Sequence, residues 1–253
     1  MSSTESGLPG FAVLLAGLME SRRLNLQTLS QRAQLPEPEL LAVAEGGVPS
    51  PTLLRRLAPA LGLHTADLFQ IAEVPLPDDL FPLDPGARAW IPQLVSHAAA
   101  LSPEHRLRLR RLAQSLPDEA REHPAPTLPA YQQYDPSFGA LLVRLLGNRN
   151  LDWTASAKVL LVMTDLYLSA STIGAVGHGR KELTPELLAG FGTVLGIPAN
   201  DLAALTGIKL PTGKPEPALV GLAELLWDVR RLTGDQVRQM SEAARSWGSD
   251  QHG

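Results

Sequence analysis

Apolar side chains recur along the chain at the spacing of helices. Phe11, Leu14, Leu15 and Leu18 fall at i, i+3, i+4 and i+7, the stripe of an amphipathic helix, and Phe138, Leu141, Leu142 and Leu145 fall the same way. Two later stretches share a plan: "SPTLLRRLAPALGLHTADLFQIAEV" (50–74) and "TPELLAGFGTVLGIPANDLAALTGI" (184–208). Each has apolar positions at helical period, then Leu-Gly, then a short second helix. Gly62 and Gly196 are placed to stop the first of these helices, because glycine accepts a left-handed backbone without a Cβ clash. No segment alternates as a strand would, so the pattern predicts an all-α protein.

The two stretches are copies. Pro51, Leu53, Leu54, Leu61, Gly62, Asp67 and Leu68 recur as Pro185, Leu187, Leu188, Leu195, Gly196, Asp201 and Leu202, always 134 positions on. Downstream, "LSPEHRLRLRRLAQSL" (101–116) parallels "LTGDQVRQMSEAARSW" (232–247), with Ser102 or Thr233 placed to cap a helix and Glu104 or Asp235 in its first turn. This divides the chain into two units, 1–116 (core about 10–73) and 138–253 (core about 138–208), each a five-helix core followed by trailing helices. The join at 117–137, "PDEAREHPAPTLPAYQQYDPS", is rich in Pro and polar residues, as linkers are. Pro-rich hinges at 73–86 and 209–218 set the trailing helices apart. The second copy is longer around 148–165.

Composition narrows the chemistry. With no cysteine in the chain, disulfides, thiolate metal sites and cysteine nucleophiles are excluded. A net charge of −4 rules out a general basic coat, so any nucleic-acid contact must come from a local patch. No apolar run is long enough to cross a bilayer, so no membrane partner is expected. "FAVLLAGLM" (11–19) follows Glu5 rather than a Lys or Arg, and is expected to be a helix and not a signal peptide. No His-Glu-x-x-His, nucleophile elbow or phosphate loop is present, and neither an enzyme, a metal nor a cofactor is expected. A cytoplasmic protein is expected.

The stretch "LSASTIGAVGHGRKELTPELLAGFGTVLGIPANDL" (168–202) carries the most specific signal. Ser169 opens a short helix, Thr172-Ile173 lies on it, Gly179 follows it, and Leu195-Gly196 and Asp201-Leu202 come after. In these residues the chain resembles the xre, lambda-repressor-like helix-turn-helix family, over about 70 residues of each unit. Members are mostly bacterial or phage transcriptional regulators. The resemblance implies tandem five-helix units, double-stranded DNA as partner, and the third helix of a unit in the major groove. It places Ser169, Ser171 and Thr172 at the groove-facing start. Ile173 and Val176 would face the core, and His178, Arg180 and Lys181 would lie beside phosphates. Thr154, Ser156 and Lys158 on the second helix, with Arg32 in the first unit, are the candidate backbone contacts. The chain departs from the family pattern at Asp165-Leu166-Tyr167, which occupies the turn where a glycine is usual.

The matching helix of the first unit, "PEPELLAVAEGG" (36–47), offers Glu37, Glu39 and Glu45 and no base. Carboxylates approaching a phosphate-lined groove are repelled. The first unit is therefore expected to serve dimerisation or another protein partner, with the second unit touching DNA. Arg22, Arg23, Arg32, Arg55 and Arg56 remain elsewhere on the first unit to touch a DNA backbone. The alternative is a protein–protein interaction module built from worn helix-turn-helix units that binds no DNA. Arg106, Arg108, Arg110 and Arg111 form either a solvated helix face with Leu107, Leu109 and Leu112 packed inside, or a contact to DNA or an acidic partner. The four tryptophans are expected to be core or interface anchors.

Overall fold

The computed structural model describes residues 8–120, 130–209 and 221–250. Among them no strand occurs, and no helix is long and apolar enough to cross a membrane. The first half runs α1 (Phe11–Ser21), α2 (Leu26–Ala33), α3 (Glu37–Ala44), α4 (Pro51–Ala60) and α5 (Thr65–Ile71), then α6 (Ile91–Ala99) and α7 (Pro103–Ser115). The second runs α8 (Phe138–Gly147), α9 (Trp153–Thr164), α10 (Ala170–Gly177), α11 (Pro185–Leu195) and α12 (Ala199–Thr206), then α13 (Leu222–Val229) and α14 (Gly234–Asp250). The hinge expected at 73–86 holds two short 3-10 turns, Asp78–Leu80 and from Pro85. Most of the hinge at 209–218, from 210 on, lies outside the described residues, as do residues 121–129 of the join.

Local chemistry sets the helix ends. Ser50, Ser102, Ser137 and Thr184 each accept a hydrogen bond from a backbone N–H in the first turn of α4, α7, α8 and α11. Thr233 and Gln236 exchange bonds across the first turn of α14, satisfying two of its free N–H groups. Gly196 closes α11 in the left-handed region, at φ +67°, and Gly62 does the same after α4 at φ +57°.

Two hydrophobic cores result. One belongs to the first half alone and gathers Leu15, Leu29, Leu40, Leu57 and Phe69. The other is built by the second half and by all four trailing helices, α6, α7, α13 and α14, and it also takes in Leu14, Leu18 and Ile71 from the first half. Leu14 and Leu15, neighbours on α1, therefore serve different cores. The stripe Leu222, Leu225, Leu226, Val229 and Leu232 is buried in the shared core, so it is not an open self-association face.

The halves touch through exchanged helices. α1 packs on α12, and α8 packs on α5; α6 packs on α14, and α7 packs on α13. Near the start of the join, Leu116 and Pro117 give their carbonyls to Arg231 and Gln236 of the second half. The Pro-rich composition of 117–137 marks a connection between sequence copies, but it does not hold them apart in space.

Candidate nucleic-acid interface

The α9–α10 pair is positioned by its caps. Asp152 accepts from the Ala155 N–H at 2.8 Å and starts α9. Asp165 ends it in the left-handed region at φ 56°, filling the place where glycine was expected. Aspartate tolerates that conformation better than most side chains. Ser169 then caps α10, accepting from the Thr172 N–H at 3.1 Å. Its hydroxyl also lies 2.8 Å from that of Ser171 and 2.9 Å from that of Thr172. Ser169 and Ser171 are exposed and Thr172 is half-buried, so the hydroxyl cluster meets solvent at the helix N-terminus.

The inner face of α10 is fixed by close packing. Ile173 and Val176 are fully buried. Gly174 lies under the ring of Trp153, where an added Cβ would sit 2.7 Å from the ring. Gly177 lies under Tyr134 in the same way, at 2.6 Å. The Trp153 indole N–H donates to the Tyr134 hydroxyl at 2.7 Å, which joins the two rings into one clamp. Burial pushes the Tyr134 phenol above its ordinary pKa, keeping it neutral.

Beyond α10 the chain turns at Gly179, φ +65°, and the N–H groups of Arg180 and Lys181 both donate to the Ala175 carbonyl. The two side chains are exposed, and among the described residues no ion pair engages either. Glu182 and Glu186 are close by in sequence, so the local field is mixed. On α9, Thr154 and Lys158 are exposed one helical turn apart.

Three placements correct the sequence-based picture. Ser156 is 1% exposed and cannot reach a phosphate, because it falls on the core side of α9. His178 is half-buried, with Nε2 3.1 Å from the Tyr131 carbonyl and its ring edge-on to Tyr134, so it belongs to the clamp rather than to the loop surface. The arginine cluster divides: Arg106 is buried, Arg108 lies over the Trp247 ring at 4.5 Å, and Arg110 pairs with Asp228 at 3.0 Å, while Leu107 is exposed. Helical phase turns Arg106 inward with Leu109 and Ala113, one turn and two turns away.

α3 presents a different surface. Glu37, Glu39 and Glu45 are exposed, and Leu41 and Val48 are exposed at 42% and 89%. Arg32 is exposed in the last turn of α2. Arg22 and Arg55, both candidates for touching a DNA backbone, are instead paired with Asp201 and Asp79.

Sequence reasoning also missed a buried polar junction between the halves. Asp67 of α5 accepts from Asn148 Nδ2 at 2.9 Å, and from Arg149 Nη1 at 3.1 Å and Nη2 at 2.9 Å. Arg149 also donates to the Leu195 and Leu145 carbonyls. Trp227 shields the pair, with the Arg149 guanidinium 5.4 Å from its ring and His64 stacked on it at 3.6 Å. Burial lowers the His64 pKa from 6.5 to about 4, with Arg149 and Arg230 adding to the shift and Asp67 opposing it. The recurrence of Asp67 as Asp201 is visible in sequence, but nothing there shows that each aspartate is met by the other half.

Comparison of the chain with protein-family models, with curated proteins and with solved structures returns no match.

Proposed function

We propose that the chain is a DNA-binding transcriptional regulator with two tandem helix-turn-helix units, acting at the bacterial nucleoid, and that α10 is its reading helix. In this reading α9 crosses the phosphate backbone through Thr154 and Lys158. α10 enters the major groove by its N-terminal turn, and Arg180 and Lys181 meet phosphates at its other end. One observation carries the reading: a solvent-facing hydroxyl cluster at the start of a clamped helix, with two cations beyond its end that no ion pair engages among the described residues. Hydroxyls bond to several base edges and discriminate weakly, so phosphate contacts supply most of the affinity.

The test is duplex binding by the full chain across a salt series, on sequences enriched from a random pool. The slope of log affinity against log salt is expected to fall by about 0.9 for each phosphate no longer neutralised, so Arg180→Ala with Lys181→Ala lowers it by about 1.8. An unchanged slope removes the proposed role of this loop, and failure to enrich any sequence removes the reading. A second reading is favoured by Leu41 and Val48, which stand exposed among three glutamates on and beside α3. That surface suits a protein partner with apolar and basic groups, and on this reading alone no duplex is bound.

A further inference from the structure

The two halves meet as two copies of one protein would. From the last residue of α1 the chain runs Ser21-Arg22-Arg23-Leu24-Asn25, and after α8 it runs Asn148-Arg149-Asn150-Leu151-Asp152. α5 and α12 carry Asp67-Leu68 and Asp201-Leu202. Each arginine crosses to the other half's aspartate. Asn148 and Arg149 hold Asp67, while Ser21 holds Asp201 at 2.8 Å and Arg22 holds it on its second oxygen. The helices cross in the same reciprocal way, α1 on α12 with α8 on α5, and α6 on α14 with α7 on α13. α6 also meets α13, and α7 also meets α14, each pair joining helices of equal rank in the two halves. Contact of i with j accompanied by contact of j with i is the mark of an isologous interface between identical subunits. Here these crossings satisfy it within one chain, and the packing of α6 on α9, which α13 and α2 do not repeat, is where the two halves depart from it.

We infer that the chain is a covalent pseudodimer. The face through which a single unit would recruit a second copy is filled by the other half, so the protein works as a monomer. The dimerisation or partner-binding role expected of the first unit is taken up in this internal pair. A further clause rests on the DNA reading above. α3 carries glutamates where α10 carries hydroxyls, so the internal dimer has one competent reading helix, and its target is a single half-site without dyad symmetry, bound by one chain per duplex.

The pairing is tested without DNA. A protease site inserted after Ala120 in the full chain is cut after folding, and the product is followed by size-exclusion chromatography with light scattering at micromolar concentration. The intact chain is expected at its 27.1 kDa monomer mass, and the cut pieces are expected to stay together at that mass. In the cut protein, Asp201→Asn is expected to weaken the association at least tenfold, whereas Asp79→Asn, which breaks a pair within one half, leaves it unchanged. Separation of the wild-type pieces, or a stable dimer of intact chains, overturns the pseudodimer. Equal effects of the two variants overturn the role given to the crossed pairs. The half-site clause is tested by the enriched duplexes: one asymmetric half at one chain per duplex supports it, and a palindrome with halves one turn apart overturns it. If no sequence is enriched, the DNA reading and the half-site clause fall together, while the chromatography decides the pairing by itself.

Discussion

From Phe11 to Glu73 and from Phe138 to Gly207 the helices follow one order, and the left-handed turns fall between the same helices. Arg23, Gln34, Gly46, Gly62 and Glu73 in the first half correspond to Asn150, Asp165, Gly179, Gly196 and Gly207 in the second, all with positive φ. Several of these residues are not glycine, so the surrounding caps and cores impose the conformation at a cost of about 1 kcal/mol each. The third helices, by contrast, share only their buried positions. Leu40 and Val43 of α3 match Ile173 and Val176 of α10. Outside that face, Pro36, Glu37 and Glu39 stand where α10 and its cap have Ser169, Ala170 and Thr172. Leu26 and Leu41 stand where the second half has Trp153 and Gly174. The difference teaches that turn and core residues specify the chain path, while the exposed positions of one helix are free to change chemistry.

The largest effect is expected at the crossed pairs. Asp67 and Arg149 are 1% and 0% exposed, whereas the Arg22 side chain is 23% exposed. Arg149→Ala leaves the buried Asp67 carboxylate without its counter-charge, with Asn148 still donating to it, and should cost about 3–5 kcal/mol, read by urea denaturation. Arg22→Ala should cost less, about 1–2 kcal/mol, because the arginine it removes is partly exposed and Ser21 still donates to Asp201. Equal costs would mean that the Trp227 shield contributes nothing to the difference.

Next comes the aromatic clamp. Gly174→Ala pushes a methyl into Trp153 and should cost about 1–3 kcal/mol, with altered tryptophan fluorescence. Leu41→Ala, at the corresponding place on α3, should change stability by less than about 0.5 kcal/mol because that site is open to solvent. A neutral Gly174→Ala would show that α10 can shift away from the ring.

A smaller effect is expected from His64. The fold lowers its pKa to about 4 from 6.5, so the folded state favours the neutral ring. The unfolded chain binds the extra proton first as pH falls, so this contribution to stability is complete above pH 6.5 and is lost between there and about 4. His64→Asn should flatten the stability profile in that window relative to the wild type. Identical slopes would place the ring in water. The smallest effect is expected from Arg32→Ala, which should leave duplex affinity and its salt slope unchanged if only the second half meets DNA; a drop of about 0.9 in slope would bring the first half onto the phosphates.

Much of this is legible in the chain. The Leu stripes, the Ser169 cap and the inward Ile173 and Val176 follow from periodicity and turn chemistry, which act within a few residues. Asp165 is visible in the turn, but its left-handed backbone is not, because that depends on the packing around it. The inward turn of Arg106 is hidden because charge ordinarily signals exposure. The crossing of Arg22 to Asp201 and of Arg149 to Asp67 joins residues far apart in sequence, and repetition alone does not say whether copies pair within or between chains. The clamp on α10 is hidden for the same reason: Tyr134 falls in the Pro-rich join, and nothing local ties it to Gly177.

Adjacent Leu14 and Leu15 face the shared core and the first-half core. A helix that plugs both cannot detach from one without exposing the other. The repeat is written twice, yet melting should be cooperative across the whole molecule, and a calorimetric scan should show one endotherm whose van't Hoff and calorimetric enthalpies agree.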